Sequence, residues 1–266
     1  MLMIMENVRL HGHAPFCVAL VHGGPGASGE MVPVARVLSA RRGVLEPLQT
    51  ETTVQGQIRE LKDVLARNGS PPVTLVGFSW GAWLSILLAA KHPALVEKLI
   101  LVSSGPFEEK YATGIQETRL RRLSEAERTE VRSLQEILGT TTGAGKAEAF
   151  ARFGALFSKS DAYDALPDDP AGEKDMVYST EIYQGVWPQA AEMRRSGKLL
   201  AMVKTVKCPV VAIHGDHDPH PAEGVRKPLE ILKDFRFILL QKCGHRPWIE
   251  KEARDKFYEI LDEEIG

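Results

Sequence analysis

The sequence predicts an α/β fold: a mostly parallel, doubly wound sheet with helices on both faces, interrupted by one helical insertion. Three observations predict it. Short runs rich in Val, Ile, Leu and Phe recur along the chain, and most are uninterrupted rather than alternating, the pattern of strands covered on both faces. Helical periodicities fill the spaces between them, so successive strands are joined by crossovers. Between about residues 106 and 205 the strand signal stops and charged helical stretches replace it.

In chain order, the opening MLMIM is apolar, but Glu6 follows at once. That run is too short for a secretory signal or an anchor. Strands are predicted at FCVALV (16–21), RGVLEPL (42–48), VTLVGF (73–78), VEKLILV (96–102), PVVAIHG (209–215) and FRFILL (235–240). Between them, MVPVARVLSA has a helical period, TTVQGQIRELKDVLARNG starts at Thr and stops at Asn68-Gly69, and the stretch from Trp80 to His92 is closed by Pro93. AWLSILLAA is apolar on nearly every side, so it is expected to be buried beneath the insertion. The insertion carries ETRLRRLSEAERTEVRSLQEILG, TTGAGKAEA, the acidic DALPDDPAGEKD and MVYSTEIYQGVWPQAAEMRRSGKLLAMV. Its charges read as solvated helix faces. The predicted division is a core of residues 1–105 and 206–266 with a helical cap at 106–205.

Composition narrows the function classes. A chain of 266 residues with net charge −2 and scattered Lys and Arg has no footprint for nucleic acid or an anionic membrane. A small-molecule substrate is the expected partner; the oligomeric state is not encoded in these features. No run approaches the about 18 apolar residues of a membrane span. Cys17, Cys208 and Cys243 are odd in number and lie in or next to apolar runs, which predicts buried thiols in a reducing compartment, hence the cytoplasm.

The chemistry concentrates at Gly77-Phe78-Ser79-Trp80-Gly81, a G-x-S-x-G match at the end of a predicted strand and the start of a helix. That context predicts a nucleophile elbow, with Ser79 exposed on a strained turn at a helix N-terminus. The competing reading is a plain helix cap. A serine hydroxyl needs a base and an orienting acid. His245, in QKCGHRPWIE, follows the last predicted strand; the acid is expected in PVVAIHGDHDPHP. Asp218 is the stronger candidate there, and Asp216, nearer the strand end, reads as a turn residue. His214, Asp216, His217, Asp218 and His220 also crowd this stretch, but consecutive loop residues without a second cluster lack zinc-site spacing, so no metal is predicted.

An early strand ends in VHGGPGASGE. Its glycines let backbone approach a ligand, and the N–H groups of Gly24 and Trp80 are the predicted oxyanion donors. No Lys-Ser/Thr follows to make a phosphate cradle. His22 reads as a residue that holds this loop.

With HGGPG, G-x-S-W-G, GDHD and CGH in this order, the chain resembles the α/β-hydrolase superfamily and is locally similar to the prolyl-iminopeptidase group. The resemblance covers about 1–105 and 206–266, and the insertion matches only as a helical cap. It implies the α/β-hydrolase fold, Ser79 as nucleophile, His245 as base and then acid, Asp218 as its orienter, Gly24 and Trp80 as oxyanion donors, and no cofactor or metal. Where iminopeptidases carry an acidic, Arg-Gly-containing loop, this chain reads VLEPLQTET. For the cap glutamates that hold a substrate amine it offers only Glu181, near Tyr183 and Trp187; these three are the tentative substrate contacts. With 21 residues before His22, the antiparallel strands that open the fold are expected to be reduced.

The expected function is hydrolysis of a small-molecule ester, amide or related acyl bond through an acyl-enzyme. The alternatives are a prolyl-type aminopeptidase and a non-catalytic ligand-binding module. Phe150, Phe153, Phe157, Tyr178, Tyr183 and Trp187 either line an apolar pocket or form the cap's own core.

Overall fold

The structure, a computed structural model, describes residues 2–5, 7–140, 144–167 and 175–266. Residues 141–143 of TTGAGKAEA and 168–174 of DALPDDPAGEKD lie outside the described residues.

Eight strands form the main sheet in the order β1 (Leu2–Met5), β2 (Val8–His11), β5 (Gly43–Pro47), β3 (Phe16–Val21), β6 (Val73–Phe78), β7 (Val96–Val102), β9 (Val210–Gly215), β10 (Phe235–Leu240). From β5 to β10 every neighbour is parallel, while β1–β2 and β2–β5 are antiparallel. The six predicted strands are therefore the six parallel ones. The order reverses between β3 and β6, and in open α/β sheets that switch point places a crevice at the strands' C-terminal ends.

Strand alternation divides the core in two. Val73 and Leu75 of β6 join Ala19 and Val21 of β3 on one face, under helices α2 (Val54–Asn68) and α3 (Trp80–Lys91). Val76 and Phe78, with Val18 and Leu20, meet helices α1 (Val32–Leu38) and α10 (Arg254–Ile265) on the other. Thr53 caps α2 by accepting the Gly56 N–H at 2.9 Å, which satisfies one donor at the helix start. From Trp80 to Ala89, α3 is continuously buried.

Between β7 and β9 run helices α4 (Ile115–Arg121), α5 (Glu125–Thr140), α6 (Ala144–Asp161), α7 (Thr180–Arg195) and α8 (Lys198–Val203), followed after β9 by α9 (Glu223–Leu229). Here α5 and α6 share a small core of Leu123, Val131, Leu134, Ala149 and Leu156, and α8 covers part of α3. The sequence reading missed a two-residue strand, β8 (Val177–Tyr178), that pairs with β4 (Ala27–Ser28).

Two expectations need correction, whereas both opening strands are present and short, four residues each, too short to stand out as periodic runs. Arg9 and His11 of β2 fix them to the sheet through the buried Glu46 carboxylate of β5, at 3.0 and 2.8 Å. Cys17 is exposed, Cys208 half-buried and only Cys243 buried; the β3–β5 register slips between Phe16 and Val18, and such a bulge turns the intervening side chain outward. FRFILL is not buried on both faces, because β10 is an edge strand. Among the described residues no helix is long and apolar enough to cross a membrane.

Candidate active site

The turn after β6 holds Ser79 at φ 52° and ψ −114°, a conformation that costs a non-glycine residue about 1–3 kcal/mol. Glycine on either side makes the turn possible. A Cβ on Gly77 would lie 2.5 Å from the Gly81 carbonyl oxygen, and one on Gly81 would strike the Val21 and His22 carbonyls of β3 and its loop. Ser79 does not cap the helix it precedes, and its hydroxyl has no hydrogen-bond partner among the described residues, His245 included. A capping hydroxyl would accept an N–H of the first turn, so the helix-cap reading fails. Catalytic hydrogen bonds are often long without substrate and tighten when it binds.

His245 follows β10 on a loop and stands over the elbow, its ring centroid 4.9 Å from that of Phe78. Its Nδ1 lies 2.7 Å from Asp218 Oδ2. Because an ionised carboxylate only accepts, Nδ1 carries the proton, which leaves Nε2 as the basic nitrogen. Asp216 is exposed and its Oδ1 accepts the Cys243 N–H at 3.0 Å, so it ties the two loops together and does not reach His245. The Asp218 side chain is fully buried. Burial pushes its carboxyl up, but the neighbouring His245, His220 and His214 outweigh this and hold it well below the usual carboxylate range. Burial likewise pulls the His245 imidazole down, and the Asp218 charge and hydrogen bond reverse the shift, so it lies above the ordinary histidine value.

Several residues that the sequence reading did not assign position this pair. The His245 N–H donates to the Asp161 carbonyl at 2.9 Å. Arg119 of α4 grips the Asp161 carboxylate with Nε at 2.8 Å and Nη2 at 2.6 Å. The buried Glu250 accepts the N–H groups of Gly244, Tyr163 and Asp164 at 2.9, 2.9 and 2.8 Å, joining the histidine loop to the insertion. Nothing in a lone Glu or Arg of an amphipathic helix announces such a role; the loop pairing becomes visible only in three dimensions.

On the other side of the crevice, Trp80 Nε1 donates to Gln49 Oε1 and Gln57 Oε1, both at 3.0 Å. Gln49, at φ 55°, in turn donates to the His22 carbonyl at 2.8 Å. The His22 ring nitrogens lie 2.9 Å from the Gly23 and Leu48 carbonyls, the loop-holding position expected of it. These links fix the HGGPG loop against the elbow. Among the described residues the N–H groups of Gly24 and Trp80 donate to no protein acceptor. Glu30 stands at the end of the same loop, its carboxyl raised by burial despite Arg246, His245, His22 and the Gly23 N–H. A cavity of about 20 Å³, room for one water, lies between Glu30, Asp161, His245 and Arg246. A larger one, about 500 Å³ beside Lys98 and Arg236, lies at the opposite, N-terminal end of the strands, away from the chemistry.

The tentative insertion contacts separate. Tyr183 and Trp187 of α7 stack at 6.3 Å, and Trp187 stacks on Trp83 of α3 at 6.1 Å. Phe150 joins Tyr183 at 5.1 Å, so an aromatic ladder links the insertion to the helix that starts at the elbow. Glu181, in the first turn of α7, is exposed. Asp218, His220 and His245 offer ligand atoms within 4.8 Å of one another, but both Nδ1 atoms are already engaged with the Asp218 carboxylate.

A family model described as "Alpha/beta hydrolase family" matches residues 10–260. The chain is 24% identical over 268 residues to a proline iminopeptidase of Lactobacillus delbrueckii subsp. lactis, covering 92% of this chain and 88% of that protein. It is 25% identical over 196 residues to a pimeloyl-[acyl-carrier protein] methyl ester esterase of Nitrosospira multiformis, covering 70% and 66%. The crystal structure of VinJ superposes with a TM-score of 0.70 at 18% identity, covering 100% of this chain and 97% of that one.

Proposed function

The chain belongs to the alpha/beta hydrolase family, and from that premise we propose that it is a serine hydrolase cleaving a small-molecule ester, amide or related acyl bond. One observation carries the reading: an imidazole whose Nδ1 is fixed by a buried carboxylate packs its ring 4.9 Å from that of Phe78, the residue just before the strained Ser79, whose hydroxyl does not cap its helix. Ser79 Oγ attacks the substrate carbonyl while His245 Nε2 takes its proton; the imidazolium then returns the proton to the leaving group. Asp218 keeps the tautomer and stabilises the charged ring. Water, deprotonated in turn by His245, releases the acyl group and regenerates the serine. The Gly24 and Trp80 N–H groups receive the oxyanion, each donor worth about 3–4 kcal/mol.

Residues 106–205 act as a cap over the core of 1–105 and 206–266, with Tyr183 and Trp187 facing the acyl or leaving group. Three unpaired cysteines fit a reducing compartment such as the cytoplasm. The iminopeptidase relative favours a second reading, cleavage of an N-terminal proline, with the exposed Glu181 as the cap glutamate offered to a substrate amine. Turnover of p-nitrophenyl esters against prolyl arylamides divides the two: ester turnover at least tenfold faster supports the first reading, and the reverse order supports the second.

A further inference from the structure

The acid loop carries a second imidazole that this mechanism leaves without a task. His220 donates its main-chain N–H, at 2.9 Å, and its Nδ1–H, at 2.8 Å, to Asp218 Oδ1. The other oxygen, Oδ2, receives His245 Nδ1–H at 2.7 Å. Oδ1 therefore serves His220 alone, while Oδ2 serves His245, with His214 Nε2 standing farther off at 3.7 Å and within 2.8 Å of the His220 carbonyl; the rings of His220 and His245 stand with centroids 4.7 Å apart. A carboxylate gripped on one oxygen alone can turn about its Cβ–Cγ bond, since terminal sp³–sp² torsions are broad. Two donors on Oδ1 remove that freedom and draw negative charge toward themselves.

We propose that His220 is a positioning residue for the Asp218–His245 pair: it fixes which carboxylate oxygen faces the catalytic imidazole and moderates the charge that imidazole meets. The proposal rests on the serine-hydrolase reading above.

Its electrostatic surroundings are consistent with this task. Burial pulls the His220 imidazole down to about 4, against the opposing pull of Asp218. The ring is thus neutral at any pH where His245 acts as a base, and it does not repel the imidazolium formed beside it. The other charged groups facing His220 are His245 and Arg119; those facing His245 are Asp218, Asp161, Arg119 and Glu30. None of these donates to Asp218 Oδ1, so none duplicates the His220 contact.

The test compares wild type, His220→Phe and His220→Asn on a p-nitrophenyl ester across pH, with thermal unfolding to confirm that each is folded. Phe keeps the ring and loses the donor; Asn loses the ring but can place an N–H where Nδ1 stood. The expected result is a kcat loss of about 10- to 100-fold for Phe, the size of a lost hydrogen bond to a charged group. The acid limb of its kcat/KM profile moves to higher pH, because Asp218 shares less of its charge. Asn recovers most of the rate and the wild-type limb. If Phe does not fold, His220→Leu, which also lacks a side-chain donor, takes its place with the same expectation. An unmoved acid limb in the donor-less variant overturns the proposal. So does a rise in KM for both variants at unchanged kcat, which assigns the ring to substrate contact. Failure of the underlying reading looks different: ester turnover then persists in Ser79→Ala.

Discussion

His245 Nδ1 meets Asp218 Oδ2 at 2.7 Å, although the two residues sit on loops that follow different strands, β9 and β10. The parallel pairing of those strands, Val210 with Phe235 through Gly215 with Leu240, brings both loops out at the same edge of the sheet, one strand apart. A buried carboxylate held against one ring nitrogen fixes the tautomer of the other. Asp218→Asn is therefore expected to lower kcat about 10⁴-fold with little change in KM, whereas Asp216→Asn, which keeps an acceptor for Cys243, leaves kcat near wild type. Steady-state kinetics on one ester substrate check both.

The raised His245 value sets the pH profile. The base must be neutral, so kcat/KM rises with pH through a limb placed above the ordinary histidine value of about 6.5. Stability runs the other way. A group whose folded value is raised stabilises the fold fully below its unfolded value and loses that contribution as pH rises through the folded one. Melting temperature is expected to fall across the span where activity appears, and Asp218→Asn to flatten both trends.

Gly81 is expected to tolerate no side chain. The Cβ of Gly81→Ala would press on the Val21 and His22 carbonyls, backbone that cannot move without opening the sheet next to the elbow. A loss of about 3 kcal/mol or more is expected, measured by urea unfolding, and activity falls with it because the HGGPG loop shifts.

Arg119 and Asp161 form a largely buried pair, with side chains 19% and 7% exposed. Asp161→Asn leaves Arg119 without its counter-charge and is expected to cost about 3 kcal/mol. Arg119→Met with Asp161→Leu removes both charges and costs less than the sum of the single changes. A double-mutant cycle in chemical denaturation gives the coupling.

Much of this molecule could be read from residues alone, for a physical reason. VTLVGF, the VALV of β3 and the LILV of β7 are continuous because both faces of those stretches are covered, and that pattern gave the parallel sheet. The elbow was readable because its turn requires glycine at 77 and 81. What stayed hidden depended on distant partners. MLMIM and VRLH were too short to declare themselves, and Cys17 is exposed by a slip in strand register. Gln49, Asp161 and Glu250 act through main-chain groups on other loops. His220 was visible only as one of several histidines near Asp218; its hydrogen bond to Oδ1 sets it apart.

The central claim is that Ser79 is a nucleophile activated by His245, and labelling with a fluorophosphonate tests it most directly. The expected result is covalent capture of the wild-type chain at Ser79, lost in Ser79→Ala and strongly slowed in His245→Ala, with both variants folded. Equal labelling of wild type and Ser79→Ala, or no labelling of an enzyme that still turns over esters, contradicts it.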